Sequence, residues 1–207
     1  MPEITEINRQ MAHLFGYGDD RLDRLMSRTD KELGRIYKEH LAMVQNSISE
    51  RFQKFGPDTG NQMLKFKRLE TLESEIRAEL KTMNKRATKA VGTGVQDQFV
   101  ENYYFSGYAT ETPLGVNMGF GGLESDVVRA NQFNPLDRIK WPDRQLGHVD
   151  DLNGVISSAL NTAFIQGTGL RQLANVVKDG FVKTESETLR ILRTEGQRAR
   201  STARKVI

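Results

Sequence analysis

A mainly α-helical fold is predicted for this 207-residue chain: a long N-terminal helical hairpin, an irregular middle rich in glycine and aromatics, and a compact C-terminal three-helix unit. Three observations predict it. Apolar residues recur every three or four positions through most of the sequence. Hydrophobic residues make up 37% against 28% charged, a lean balance that suits long helices with one buried stripe and a wide wet face. Glycine, proline and aspartate gather at a few points, where helices would be separated. A chain of this length holds one large domain or two small ones.

The elements follow in order. Residues 1–20 read as a loosely attached lead-in, with Gly16, Gly18, Asp19 and Asp20 marking a break. From Arg21 a helical stripe sets in through Leu22, Leu25, Leu33, Ile36, Tyr37, Val44, Ile48 and Phe52. KFGPDTGN (Lys54–Asn61) is a stop-and-turn signal, and a second stripe runs through Phe66, Leu69, Leu72, Ile76, Leu80, Met83, Ala87 and Val91. Two such stretches joined by a short turn predict an antiparallel hairpin over residues 1–100. The stripes drift instead of holding strict heptads, which disfavours a coiled-coil oligomer.

Residues 101–145 read as an irregular connector. The stretch from Gly92 opens as a plausible helix and clusters Phe99, Tyr103, Tyr104, Phe105 and Tyr108. Such aromatics can stack nucleic-acid bases, but more often they form core where a hairpin meets the rest of a protein. TPLGVNMGFGG predicts a loop, and its glycines match no phosphate-binding fingerprint. NPLDRIKWPDRQLG carries two prolines and the only tryptophan, Trp141, and is expected to be irregular.

Residues 146–207 form the third region. From Leu152 to Phe164 the apolar positions fit an amphipathic helix that ends at Gln166-Gly167. Thr168 would cap a short helix with Gly180 at its C-terminal stop, and Thr184 with Glu187 has the spacing of a capping box for the last helix.

Several chemistries are set aside. There is no cysteine, so disulfide and thiol chemistry are excluded, and His13, His40 and His148 lack metal-motif spacing. No apolar run approaches the ~20 residues that span a bilayer, and MPEITEINRQ lacks the regions of a signal peptide, so a soluble cytosolic product with no membrane partner is expected. Asp19-Asp20, Asp150-Asp151 and Glu185/Glu187 fall near predicted helix starts, where negative charge offsets the helix dipole. Arg193 and Glu195 point about 200° apart around a helix, so they are not a catalytic pair on one face. Glu195 is expected to pair within its helix, with Arg198 at i+3 as one partner. No enzyme and no cofactor emerges from these residues.

The basic tail is the distinctive feature. From Thr188 to Ile207, Arg190, Arg193, Arg198, Arg200, Arg204 and Lys205 stand against Glu195 alone, so six bases minus one acid leaves +5, more than the +3 of the whole chain. Arg193, Arg200 and Arg204 recur at seven and four, on one side of a helix, and are candidates to meet DNA phosphates or an acidic partner. A solvated face is the alternative.

The C-terminal third adds what periodicity cannot. Trp141-x-Asp143-Arg144, a helix ending in Gln166-Gly167, Leu173-Ala174, Phe181 and the closing Arg193-Thr194-Glu195 occur in an order and spacing that resemble the domain of MuF-type phage head-morphogenesis proteins. The tyrosine-rich "YYFSGYATE" is similar to that family's middle region. The resemblance implies a minor capsid protein made in the bacterial host cytoplasm and carried in the virion, inside the capsid. It also implies association with the portal protein and a part in head assembly, DNA packaging or genome ejection. Packaged double-stranded DNA and a scaffolding protein are further implied partners. Some longer relatives of that family add a toxin or ADP-ribosyltransferase domain after the Arg-Thr-Glu helix; this chain is expected to end without one, so no catalytic residue carries over. Two alternatives stand beside this reading: a sequence-nonspecific DNA-binding protein not tied to a capsid, and an ADP-ribosyltransferase-related enzyme.

Overall fold

The computed structural model describes residues 4–55, 62–117, 119, 122–133, 140–166 and 169–205. The described residues form five helices and no strand: α1 (Ile4–Phe55), α2 (Gln62–Leu114), α3 (Ser125–Phe133), α4 (Trp141–Gln166) and α5 (Leu170–Ala203). The predicted mainly α fold and its long N-terminal helices are what the chain adopts. Packing divides it into two compact units, each drawing on several helices.

The first unit takes α1 up to Lys31, the chain from Ala90 to Trp141, and the chain from Arg190 onward. Its core gathers Leu22, Val95, Phe99, Tyr103, Val128, Trp141, Leu192 and Ala199. Small residues let the helices approach. A Cβ on Gly94 would stand 2.8 Å from the Thr29 hydroxyl and 3.1 Å from Leu192, so only glycine fits there. Amides satisfy backbone carbonyls inside the unit: Gln98 Nε2 donates to Leu22 O at 2.9 Å and Asn102 Nδ2 to Arg200 O at 2.7 Å. Buried polar groups need such partners.

The second unit takes Glu32–Lys89 and Pro142–Leu189, four helical segments around one core. Leu33, Ile36, Val44, Ile48, Leu72, Ile76, Leu80, Met83, Leu152, Ile156, Leu160 and Val177 are buried there, matching the predicted stripes, and Phe181 joins them. Phe52 meets Phe164 edge to face with ring centroids 5.0 Å apart. The Tyr37 hydroxyl bonds Thr188 Oγ1 at 2.7 Å. Burial pushes the Tyr37 phenol up to about 12, against the pull of that hydrogen bond. His40, also buried, donates from Nδ1 to Glu79 at 2.5 Å, because its Nε2 accepts from Arg86 at 3.0 Å. Arg86 in turn bonds Glu39 and holds that carboxyl below its usual range.

Four local expectations are corrected. The break at Gly16–Asp20 is absent: α1 runs from Ile4, and Gly18 is there because the Phe105 ring lies against it. The irregular region does not begin at residue 101, since α2 continues to Leu114 with Pro113 in its last turn. The structure also makes "WPDRQLG" helical: Pro142 sits in the first turn of α4, where a missing N–H costs nothing. Finally, α5 is one helix instead of two. Gly180 lies inside it, where a Cβ would stand 2.8 Å from Leu152, and the Thr184 hydroxyl bonds Gly180 O at 2.9 Å instead of capping a new start. Asp150-Asp151 and Glu185/Glu187 are accordingly interior to α4 and α5, away from any helix start. The turn at 56–61 and the cap at Thr168 lie outside the described residues.

Candidate docking surface on the closing helix

Within the first unit the closing part of α5 lies antiparallel to the first part of α1. Arg193 reaches Asp30 at 3.3 Å, Arg200 reaches Asp23 at 2.8 Å, and Arg204 reaches Asp19 at 2.7 Å. The spacings of seven and four on α5 mirror those of four and seven on α1, which is the register of an antiparallel pair. With Arg198, which holds Glu195 of its own helix, four of the six candidate bases already hold an acid of their own unit. The three pairs to α1 differ in burial. Arg200 has a side chain only 10% exposed, and its Nε also donates to Gln98 Oε1. Arg193 is 63% exposed and Arg204 48%. Exposed pairs of this kind contribute roughly 0–1 kcal/mol each, whereas a buried guanidinium stripped of its partners is costly.

Arg200 consequently does not project from the fold as a free docking charge. Reversing its charge would place a carboxylate beside the buried Gln98 and opposite Asp23, at a cost to the fold.

The Arg193-Thr194-Glu195 triplet divides as helix geometry requires. Arg193 and Thr194 face solvent, while Glu195 is 1% exposed and accepts from Arg198 Nε at 2.8 Å, the expected i+3 partner. Arg190 is exposed on the same helix. Lys205 is exposed and lines a cavity of about 570 Å³ together with Asp19, Asp23, Arg200 and Arg204. Of the remaining family-motif residues, Trp141 is fully buried, Asp143 is exposed and Arg144 half-buried in the first turn of α4. The α4 helix ends at Gln166 as expected, the Gln166 side chain and Gly167 lying outside the described residues.

The aromatic cluster is shared between core and surface. Phe99 and Tyr103 are buried, whereas Tyr104 is 48% and Tyr108 54% exposed. Tyr17, Phe105 and Tyr108 form a chain of rings with centroids 6.1 and 6.0 Å apart. Nearby, burial raises the Asp97 carboxyl, Arg28 opposing the shift and Glu101 adding to it.

Asp19, Asp23, Asp30, Gln98 and Asn102 escape a reading of the sequence for function. The mirrored spacing of Asp19, Asp23 and Asp30 against Arg193, Arg200 and Arg204 is the signal that could find the acids. Nothing local marks Gln98 or Asn102, whose amides each donate to a backbone carbonyl far away in sequence.

The described residues are almost wholly helical, and three arginine–aspartate pairs link the closing part of α5 to α1 within one unit. Among the described residues no group of three or more His, Asp or Glu is placed to hold a metal ion, and no helix is long and apolar enough to cross a membrane. The chain is 28% identical over 193 residues, 90% of its length, to Minor head protein GP7 of Bacillus phage SPP1. It is 20% identical over 173 residues, 84% of its length, to NAD(+)–arginine ADP-ribosyltransferase EFV of Enterococcus faecalis. The chain spans 61% of the former and 36% of the latter. No family model and no solved structure matches. The phage similarity supports the phage head-morphogenesis family that the residues from Trp141 to Glu195 resemble.

Proposed function

We propose that this chain is a minor head protein of a tailed phage, held inside the capsid at the portal and acting in head assembly, DNA packaging or genome ejection. The observation that carries the reading is the similarity to a phage minor head protein over nine tenths of the chain. The α4–α5 region agrees with it, since Trp141 and Glu195 of the family-like motif are both interior residues that build the fold. Packaged double-stranded DNA and a scaffolding protein are the further proposed partners. Arg193, Arg204 and Lys205 are exposed and available in part to phosphates, with Asp30 and Asp19 competing for the two arginines. Glu195, buried against Arg198, lends no support to an enzymatic reading of the Arg-Thr-Glu triplet. The test is to purify procapsids from cells that make the portal and from cells that lack it. The chain should be present in the first and absent from the second. Finding it free in infected cells and never in particles would overturn the reading.

A further inference from the structure

The second unit carries an open groove that none of its own segments fills. It is a shallow depression of about 750 Å³ between α4 and α5, lined by Asp150, Asp151, Gly154, Val155 and Ser158 on one side and by Val176 and Lys183 on the other. Gly154, Ser158 and Ala159 keep its lining low on α4, and a Cβ on Gly154 would meet nothing within 4 Å. One of its lining residues, Val155, is an aliphatic side chain 45% exposed to solvent. An exposed aliphatic within a largely apolar lining marks an interaction surface more than a solvated face.

The groove is also acidic at one end. Asp150 and Asp151 are both exposed and have no ion pair among the described residues. They lie well inside α4, beyond its first turn, so they do not offset its dipole either. From Asp150 to Thr162 the lined stretch of α4 is roughly 18 Å long at 1.5 Å per residue, the length of about three helical turns of a partner. Apolar anchors at i, i+4 and i+7 of an amphipathic helix fit such a trough.

We propose that the α4–α5 groove seats an amphipathic helix of another protein, with apolar side chains over Gly154 and Val176 and a lysine or arginine against Asp150 and Asp151. A second copy of this chain is the poorer occupant, since its own α4–α5 face would bring the same acidic end and only Lys183 to neutralise it. The inference rests on the head-protein reading, because the partner is another head component.

The chain has no cysteine, so Ser158→Cys gives a single thiol in the groove, and Ser186→Cys makes the same exchange at an exposed position of α5 outside the groove lining, as a control. Maleimide labelling is measured on the purified variants and on heads that contain them. Occupancy of nine tenths of the copies should slow labelling at position 158 about tenfold in heads, with position 186 unchanged. A benzophenone placed at position 158 should then cross-link to a different polypeptide. Asp150→Lys with Asp151→Lys, which changes two exposed residues, should restore labelling without altering helicity or melting. Equal labelling of position 158 in heads and in free protein would overturn the inference, as would cross-linking to a second copy or to DNA, or a double reversal without effect. Absence of the chain from heads would overturn the head reading, and this inference with it.

Discussion

Arg200 and Asp23, 177 positions apart in sequence, are joined by a 2.8 Å ion pair whose arginine is buried and whose aspartate is exposed. The guanidinium is held by more than charge: its Nε bonds Gln98, whose own amide bonds the Leu22 carbonyl. The same helix offers a control in Arg193, paired with Asp30 but 63% exposed. Arg200→Met should therefore cost about 1–3 kcal/mol by removing the Arg200 donor from the buried Gln98 Oε1, while Arg193→Met should fall within roughly 0.5 kcal/mol of the parent. Urea denaturation of the two variants compares them, and equal losses would refute the division between buried and exposed rungs.

Glu195 presents the reverse polarity, a buried acid on a partly buried base. Its side chain is 1% exposed and Arg198 13%. Glu195→Ala would remove a buried carboxylate that Arg198 donates to and open a void, for a loss of about 2–3 kcal/mol. Glu195→Gln keeps the shape and one acceptor, so it should lose less. Thermal melting that is unchanged in the alanine variant would count against any anchoring role for the triplet.

How far the sequence discloses this fold depends on the range of the contact. The stripes of α1 and α2 are legible because one helix face is enough to reveal them, and Leu33, Ile36, Leu72 and Leu80 are all buried as expected. Glycines mislead for the opposite reason. Gly18 and Gly180 carry the local signature of a break, yet each is required by a side chain distant in sequence, Phe105 or Leu152. The basic tail is legible as charge, and its partners are not, because Asp19, Asp23 and Asp30 come at the other end of the chain. Glu195–Arg198, an i,i+3 pair, can be read because both ends lie within one helical turn.

Alkaline pH should destabilise the second unit through Tyr37. Its phenol is raised from 10.0 to about 12, chiefly by burial. A folded-state value above the unfolded one means the stabilisation is complete below pH 10 and is lost as pH rises through about 12. Over that window the loss amounts to roughly 2–3 kcal/mol at 1.36 kcal/mol per unit. Tyr37→Phe removes the titration together with the bond to Thr188, which is worth about 1 kcal/mol. The variant should be the less stable protein at pH 7 and the more stable one near pH 12. Parallel stability curves between pH 8 and 12 would show that Tyr37 is not the group responsible.

Two helical glycines should respond to alanine with opposite signs. In an open helix interior, glycine to alanine stabilises by about 1 kcal/mol, because the unfolded chain loses freedom it would otherwise forfeit on folding. Gly147 meets that condition: it lies within α4 and a Cβ there has nothing within 4 Å. Gly94 has the same propensity to gain, but its Cβ would stand 2.8 Å from Thr29 Oγ1, 2.9 Å from Thr29 Cγ2 and 3.1 Å from Leu192 Cδ1. Thr29 is itself tied down, its hydroxyl bonded to Leu25 O, and Leu192 is fully buried, so neither neighbour can swing away. Overpacking of that kind costs typically about 1–3 kcal/mol, which exceeds the propensity gain. Gly147→Ala should therefore raise the melting temperature and Gly94→Ala lower it. A stabilising effect at both positions would mean that α1, α2 and α5 do not approach at Gly94 as closely as described, and the register set by Arg193, Arg200 and Arg204 would have to be redrawn.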